Sequence, residues 1–204
     1  MKLAIFGATG STGRHLVEQA LQAGHQVRAL VRTSGILAAH PALETITGTL
    51  AQADLVGATV LGADAVISVI GARKGEATPI CTDAMRAIVP AMGTARTRRL
   101  VALSAYGASE TRHASWFIRF VRMVIAAKMR DKDGMEAVVR ASALDWTLVR
   151  PPMLTDGPRS GAWRAGTALV PGMGARLSRA DLAAFLLQEA LAGEYMGQAV
   201  VVSQ

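Results

Sequence analysis

The chain has 204 residues, 51% hydrophobic and 18% charged, a composition that suits one compact soluble domain burying roughly 70% of its unfolded surface. Twenty-two basic residues against 15 acidic ones leave a formal charge of +7, which favours an anionic partner, either a phosphate-bearing cofactor or a nucleic acid. A lone cysteine, Cys81, excludes an internal disulfide, and His15, His25, His40 and His113 lack the spacing of metal ligands, so no metal site is expected.

No apolar run reaches the roughly 18 to 20 residues of a membrane-spanning helix, and the first ten residues turn polar too early for a signal peptide. A cytoplasmic protein without a membrane partner is the expectation. The basic residues are densest at Arg96, Arg98 and Arg99, then at Arg119, Arg122, Lys128, Arg130 and Lys132. They form no recognisable nucleic-acid motif, and aromatics make up only 4% of the chain, too few for a base-stacking platform. No nucleic-acid partner is expected.

In chain order, an apolar run of strand length, "LAIF" (3–6), breaks into "GATGSTG" (7–13). The next segment, "RHLVEQALQAG", places Leu16, Val17, Ala20 and Leu21 on one helical face and stops at Gly24. Further strand-like runs follow at 26–32, 43–48, 64–71, 99–104, 145–151 and 198–203, with helices in the gaps. Segment 113–140 carries a broad apolar band, Trp116, Phe117, Phe120, Val121 and Val124, interrupted by Arg119 and Arg122. It reads either as core or as an apolar lid over a planar substrate, with its arginines toward acidic or phosphate groups. The Gly- and Pro-rich stretch 151–177 is a substrate-side cover or a connection without ligand contact. A helix over 178–193 begins at Ser178, with Asp181 as its capping partner. Strand and helix alternate throughout and the strands are nearly continuously apolar. That pattern predicts an α/β fold with a doubly wound parallel sheet of Rossmann type. No linker divides it, so 1–204 reads as a single Rossmann-type domain with a small C-terminal cover.

The glycines at 7, 10 and 13 sit between a strand and a helix, the context that gives such a pattern meaning. Gly7 permits the tight exit from the strand, Gly10 lets the backbone approach a pyrophosphate, and Gly13 lets the helix lie close to the sheet. Amides at the helix start attract phosphates. At the end of the second strand, where an acid would take the ribose hydroxyl of NAD, the chain has Arg32. A guanidinium suits a 2′-phosphate, which implies NADP(H), unless the side chain simply points into solvent.

These residues resemble a known family, the atypical short-chain dehydrogenase/reductases, and within it the NADPH-dependent flavin reductase group, which is biliverdin reductase B-like. The likeness runs through "IFGATGSTG" (5–13), "LVRTSGIL" (30–37), "DAVISVIGARKG" (64–75), "VALSAYGAS" (101–109), "RASALDWTLVRPPML" (140–154) and "GEYMGQAVVVS" (193–203). It implies that Thr9, Ser11 and Thr12 line the pyrophosphate, Arg32 the 2′-phosphate, and Thr49 with Leu50 the adenine. It further implies that Gly71, Ala72 and Arg73 follow the fourth strand beside the cofactor. Ser104 would lie near the nicotinamide, and Pro152, Met153 and Leu154 would border it from the other side. Two departures stand out. Gly48-Thr49 replaces the frequent Gly-Asp, and Lys132 stands where biliverdin reductase B has a histidine.

The Tyr-x-x-x-Lys pair of the better-known reductases of this superfamily is absent, since Glu110 follows Tyr106 at that spacing and Ala199 follows Tyr195. Tyr106, just beyond Ser104, is either a weak acid or an aromatic wall. Lys132 is the candidate to stand in for the missing lysine, making Ser104, Tyr106 and Lys132 the candidate catalytic residues. The expected activity is hydride transfer from NADPH to a small planar conjugated acceptor, a flavin or quinone, by a monomer or homodimer. The rival expectation is a non-catalytic NADP(H)-binding redox sensor.

Overall fold

The computed structural model describes residues 1–72 and 79–204. Its strands are β1 (Lys2–Phe6), β2 (Gln26–Val31), β3 (Leu43–Thr47), β4 (Ala65–Ser68), β5 (Arg99–Leu103), β6 (Asp145–Arg150), β7 (Met153–Thr155), β8 (Arg164–Gly166), β9 (Arg176–Ser178) and β10 (Gln198–Ser203). Its helices are α1 (Ser11–Gln22), α2 (Ala53–Val60), α3 (Ile80–Ala95), α4 (Trp116–Val124), α5 (Ala126–Arg140) and α6 (Arg179–Ala192), with a 3₁₀ turn at Ser109–His113. The main sheet runs β3-β2-β1-β4-β5-β6-β10-β8, parallel except for β8, which pairs antiparallel with β10 at one edge. The doubly wound Rossmann fold is thereby observed, and its order reverses direction between β1 and β4.

Alternation along the strands distributes the core over both faces of the sheet. Leu3 and Ile5 join Leu16, Val17, Leu182 and Phe185 on the face covered by α1 and α6. Ala4 and Phe6 turn the other way, toward Met85, Ile88, Met135 and Val139 of α3 and α5. Burial on both faces explains why β1, β4 and β5 are nearly continuously apolar between their ends.

The structure and the sequence pattern differ in two places. Strand β4 stops at Ser68 rather than at 71, because Val69 and Ile70 are apolar for another reason, as described below. The stretch 151–177 contains three short strands. Two of them, β7 and β9, pair with each other, and β8 extends the main sheet. Helix α6 starts at Ser178, whose hydroxyl accepts from the Asp181 amide at 3.0 Å. The Asp181 carboxylate accepts from the amides of Ser160 and Gly161 at 2.9 and 2.8 Å and from Gln204 Nε2 at 2.7 Å. It therefore ties the cover segment to α6 as well as serving the cap. These donors outweigh the cost of its burial and hold its pKa below the ordinary aspartate value.

Candidate functional site

A cleft of about 1080 Å³ opens at the carboxyl end of the sheet over β1, β2 and β4, the switch point where ligands of this architecture bind. Its floor is the turn between β1 and α1. Gly7 has φ +87, and a Cβ there would lie 2.9 Å from the main-chain carbon of Val69, so only glycine fits between the two strand exits. A Cβ at Gly13 would lie 2.1 Å from the Gly7 carbonyl oxygen; that glycine lets α1 close onto the turn. Gly10 differs. Its φ is −74, and a Cβ there meets only the Gly7 oxygen at 3.3 Å, so what it leaves open is cleft space. No side chain caps the start of α1 and no acid lies in its first turn, which leaves its amides suited to an anion. The cradle thus fits a dinucleotide pyrophosphate.

Of the residues singled out from sequence, Gly7, Thr9, Gly10, Ser11, Thr12, Arg32, Thr49, Leu50, Gly71, Ala72 and Leu154 line this cleft together. Gly13 lies behind the turn. Arg73 lies outside the described residues. Pro152 and Met153 stay off the cleft wall among the described residues. Thr49 is held by Gln52, whose side-chain oxygen accepts from its amide at 2.9 Å.

Ser104 also stays off the wall, for a reason of strand period. Leu103 faces the cleft, so Ser104 turns toward α5 and donates to Glu136 Oε1 at 2.6 Å. Arg150 Nε donates to the same oxygen at 2.8 Å, and its Nη2 bonds Glu110 at 2.8 Å. Arg150 and Glu136 are both fully buried. Burial opposes the Arg150 charge, but the hydrogen bonds it donates to the Glu136 and Glu110 carboxylates outweigh that cost and raise the pKa. The Arg150 hydrogen bond correspondingly pulls the Glu110 carboxyl down to about 2.

Tyr106 lies beyond Ser104, its amide donating to the Pro151 carbonyl at 2.9 Å. Partial burial pushes its phenol above the ordinary tyrosine value. The Lys132 ammonium donates to the main-chain oxygens of Leu103 at 2.6 Å and Ile70 at 3.3 Å, bridging the exits of β5 and β4. Sequence reasoning missed Val69, Ile70, Pro79, Asp83, Leu103 and Arg179, all on the cleft wall. The apolar pair after Ser68 reads as strand in the sequence. Arg179 follows directly on the Ser178 cap, which was a usable signal. Its Nη1 meets Asp156 Oδ1 of the cover segment at 2.6 Å.

A glycine turn feeding a helix, set at the switch point of a doubly wound sheet, defines a dinucleotide-binding protein. The sequence profile of the NAD(P)H-binding family matches residues 7–192, and the chain belongs to that family. Its backbone is similar to that of ChuY of Escherichia coli O157:H7, described as an anaerobillin reductase (22% identical, 99% of this chain and 96% of that one, TM-score 0.86). It is also similar to a candidate NADH-flavin reductase of Streptococcus pneumoniae (23% identical, 100% and 99%, TM-score 0.83). A third neighbour is a short-chain dehydrogenase/reductase of Veillonella parvula in complex with NADP (15% identical, 100% and 94%, TM-score 0.83).

Proposed function

We propose that the protein is a reductase that takes NADPH in the glycine cleft and reduces a planar conjugated acceptor, a free flavin or quinone. The observation that carries this reading is the division of labour at the carboxyl edge. The cleft is lined by the glycine turn and by the hydroxyl side chains Thr9, Ser11 and Thr12, while Ser104 and Lys132, off its wall among the described residues, hydrogen-bond within the protein. Chemistry that asks little of protein acids suits such a site. Bound NADPH supplies the hydride. The chain holds and orients it through Thr9, Ser11 and Thr12 at the pyrophosphate and Arg32 at the 2′-phosphate. Thr49 and Leu50 flank the adenine, and Gly71 and Ala72 run beside the cofactor. Leu103 and Leu154 exclude water from the nicotinamide end, with Tyr106 as an aromatic wall for the acceptor. Arg179 adds a second cation, which a phosphate can draw away from Asp156. The names given to ChuY and to the Streptococcus neighbour support a flat acceptor.

The test is turnover. Purified protein supplied with NADPH and a panel of flavins, quinones and small aldehydes is expected to oxidise many equivalents of NADPH per chain with a flavin or quinone. Tight NADPH binding with no turnover on any acceptor would replace this reading with that of a redox sensor.

A further inference from the structure

Helix α4 carries its apolar residues on the outside. Trp116, Phe120, Met123 and Val124 recur at helical spacing, so they share one face, and they are 72%, 53%, 68% and 66% exposed. The opposite face holds the helix to the protein. Ile118 packs against Gly107, where an added Cβ would come within 3.1 Å of its Cγ2. Arg122 bonds Asp133 at 2.7 Å and donates to the Gly107 carbonyl. None of the residues of α4 lines the dinucleotide cleft. An apolar stripe thus faces outward beside the exposed Arg119, whereas an amphipathic helix usually turns such a stripe to the core.

Charge identifies the occupant. From 111 to 130 the chain contains five Lys or Arg residues and no Asp or Glu. Arg112, Arg119, Lys128 and Arg130 are exposed, and among the described residues none of them forms an ion pair with a carboxylate; Arg112 and Arg130 donate only to main-chain oxygens, of Ser109 and Ala126. An apolar face with tryptophan and phenylalanine, flanked by cations, is the composition of a helix that lies in the interface of an anionic bilayer. A second copy of the chain fits poorly, because pairing this face with itself would oppose basic residues to basic residues.

We infer that α4 docks the protein reversibly onto an anionic lipid surface, with Trp116, Phe120 and Met123 entering the interface and Arg119, Lys128 and Arg130 meeting the headgroups. No helix among the described residues is long and apolar enough to cross a membrane, and interfacial docking requires none.

The test uses the full chain with vesicles of phosphatidylcholine alone and with phosphatidylglycerol making up about a third of the lipid. Flotation is expected to recover the protein with the anionic vesicles at least about tenfold more efficiently, given about fivefold per basic residue, and the difference should shrink as salt rises. Phe120→Asp should reduce recovery about tenfold or more with the circular dichroism and melting temperature unchanged, and Arg119→Glu should weaken anionic binding alone. Trp116 emission should shift to the blue on anionic vesicles, read as the difference from Trp116→Phe. Absence of vesicle binding, equal binding to both lipids, or binding that survives Phe120→Asp overturns the inference. So does a mass of two chains at sedimentation equilibrium that falls to one in Phe120→Asp, which would assign the face to a second copy.

Discussion

Over β1, β2 and β4 the sheet's carboxyl edge ends in glycines, threonines and main-chain amides that face a cleft. Over β5 and β6 it ends in Ser104 and Arg150, whose polar atoms close on Glu136 and Glu110. The two halves share one architecture but treat polarity in opposite ways. A phosphate site must keep donors where a ligand can reach them, because a donor committed to a buried acceptor gains little from a ligand. The second half uses its donors internally and gains a fixed geometry at the cost of desolvating two charges. In the proposed site the nicotinamide end would lie against this rigid half and the phosphates against the open one.

The largest effect is expected where the closed half is broken. Glu136→Ala leaves the Arg150 guanidinium buried without its main partner, and loss of one member of such a pair costs about 3 to 5 kcal/mol. Denaturant unfolding measures it. Glu136→Gln, whose amide oxygen still accepts from Ser104 and Arg150, should lose clearly less. A loss below about 1 kcal/mol for the alanine variant would show that Glu110 alone satisfies Arg150.

The open half should respond in binding and not in folding. Gly10→Val places its methyl groups in cleft space and is expected to weaken NADPH binding about a hundredfold, roughly 2.7 kcal/mol, with a native circular dichroism spectrum. Gly13→Val, whose Cβ collides with the Gly7 oxygen, should lower stability and binding together. If Gly10→Val keeps its affinity for NADPH, the turn is structural only.

Next in size is cofactor choice. A charge-assisted bond to the 2′-phosphate is worth roughly 1.5 to 3 kcal/mol, so NADPH should bind at least about tenfold more tightly than NADH. Arg32→Asp should reverse the order. Equal dissociation constants in the unmodified protein would remove Arg32 from the phosphate.

What the sequence revealed follows the range of the forces involved. The β1–Gly7–α1 unit was legible because glycine geometry and helical period are local. Ser104 was located as a landmark, but its partner Glu136 lies 32 residues away, beyond any local pattern, and only the two-residue period of β5 hints that it turns toward α5. The three strands within 151–177 are sustained by pairing with distant segments, which the Gly- and Pro-rich composition conceals. Val69 and Ile70 read as strand because apolarity alone does not distinguish a buried strand from a cleft wall. Segment 113–140 gave the same difficulty, as its outward apolar face has the period of a core-facing one.

The cover segment gives a smaller, pH-dependent effect. Asp181 has a lowered pKa despite burial, through its amide and hydroxyl donors. A depressed carboxyl adds stability that is present above its unfolded pKa of about 3.9 and is lost as pH falls through the lower folded value. The advantage in unfolding free energy over Asp181→Asn, read by denaturant unfolding, should therefore be full at neutral pH, about 1 to 2 kcal/mol, and should shrink below about pH 4. An advantage that persists unchanged into acid would mean that the carboxylate charge is not what ties Ser160 and Gly161 to α6.

The smallest effect is expected at Tyr106, beyond the end of β5 and bonded through its amide to Pro151. Among the described residues its hydroxyl has no hydrogen-bond partner, and burial makes the phenol a weaker acid than free tyrosine. Lys132, the candidate to stand in for the missing lysine, is bonded to the Leu103 and Ile70 oxygens. Reduction of a simple ketone creates an alkoxide-like oxygen that needs a proton, and a positioned acid there contributes roughly a hundredfold or more. A flavin or quinone spreads the incoming charge over its conjugated system and needs that acid far less. Tyr106→Phe should therefore lose less than about tenfold in turnover with such an acceptor, since the ring would still be there to wall the proposed site. A loss of about a hundredfold in kcat with KM unchanged would make Tyr106 a proton donor. In that case Lys132 would have to leave its two carbonyls to assist it, and Tyr106→Phe combined with Lys132→Met should then lose little beyond the single change.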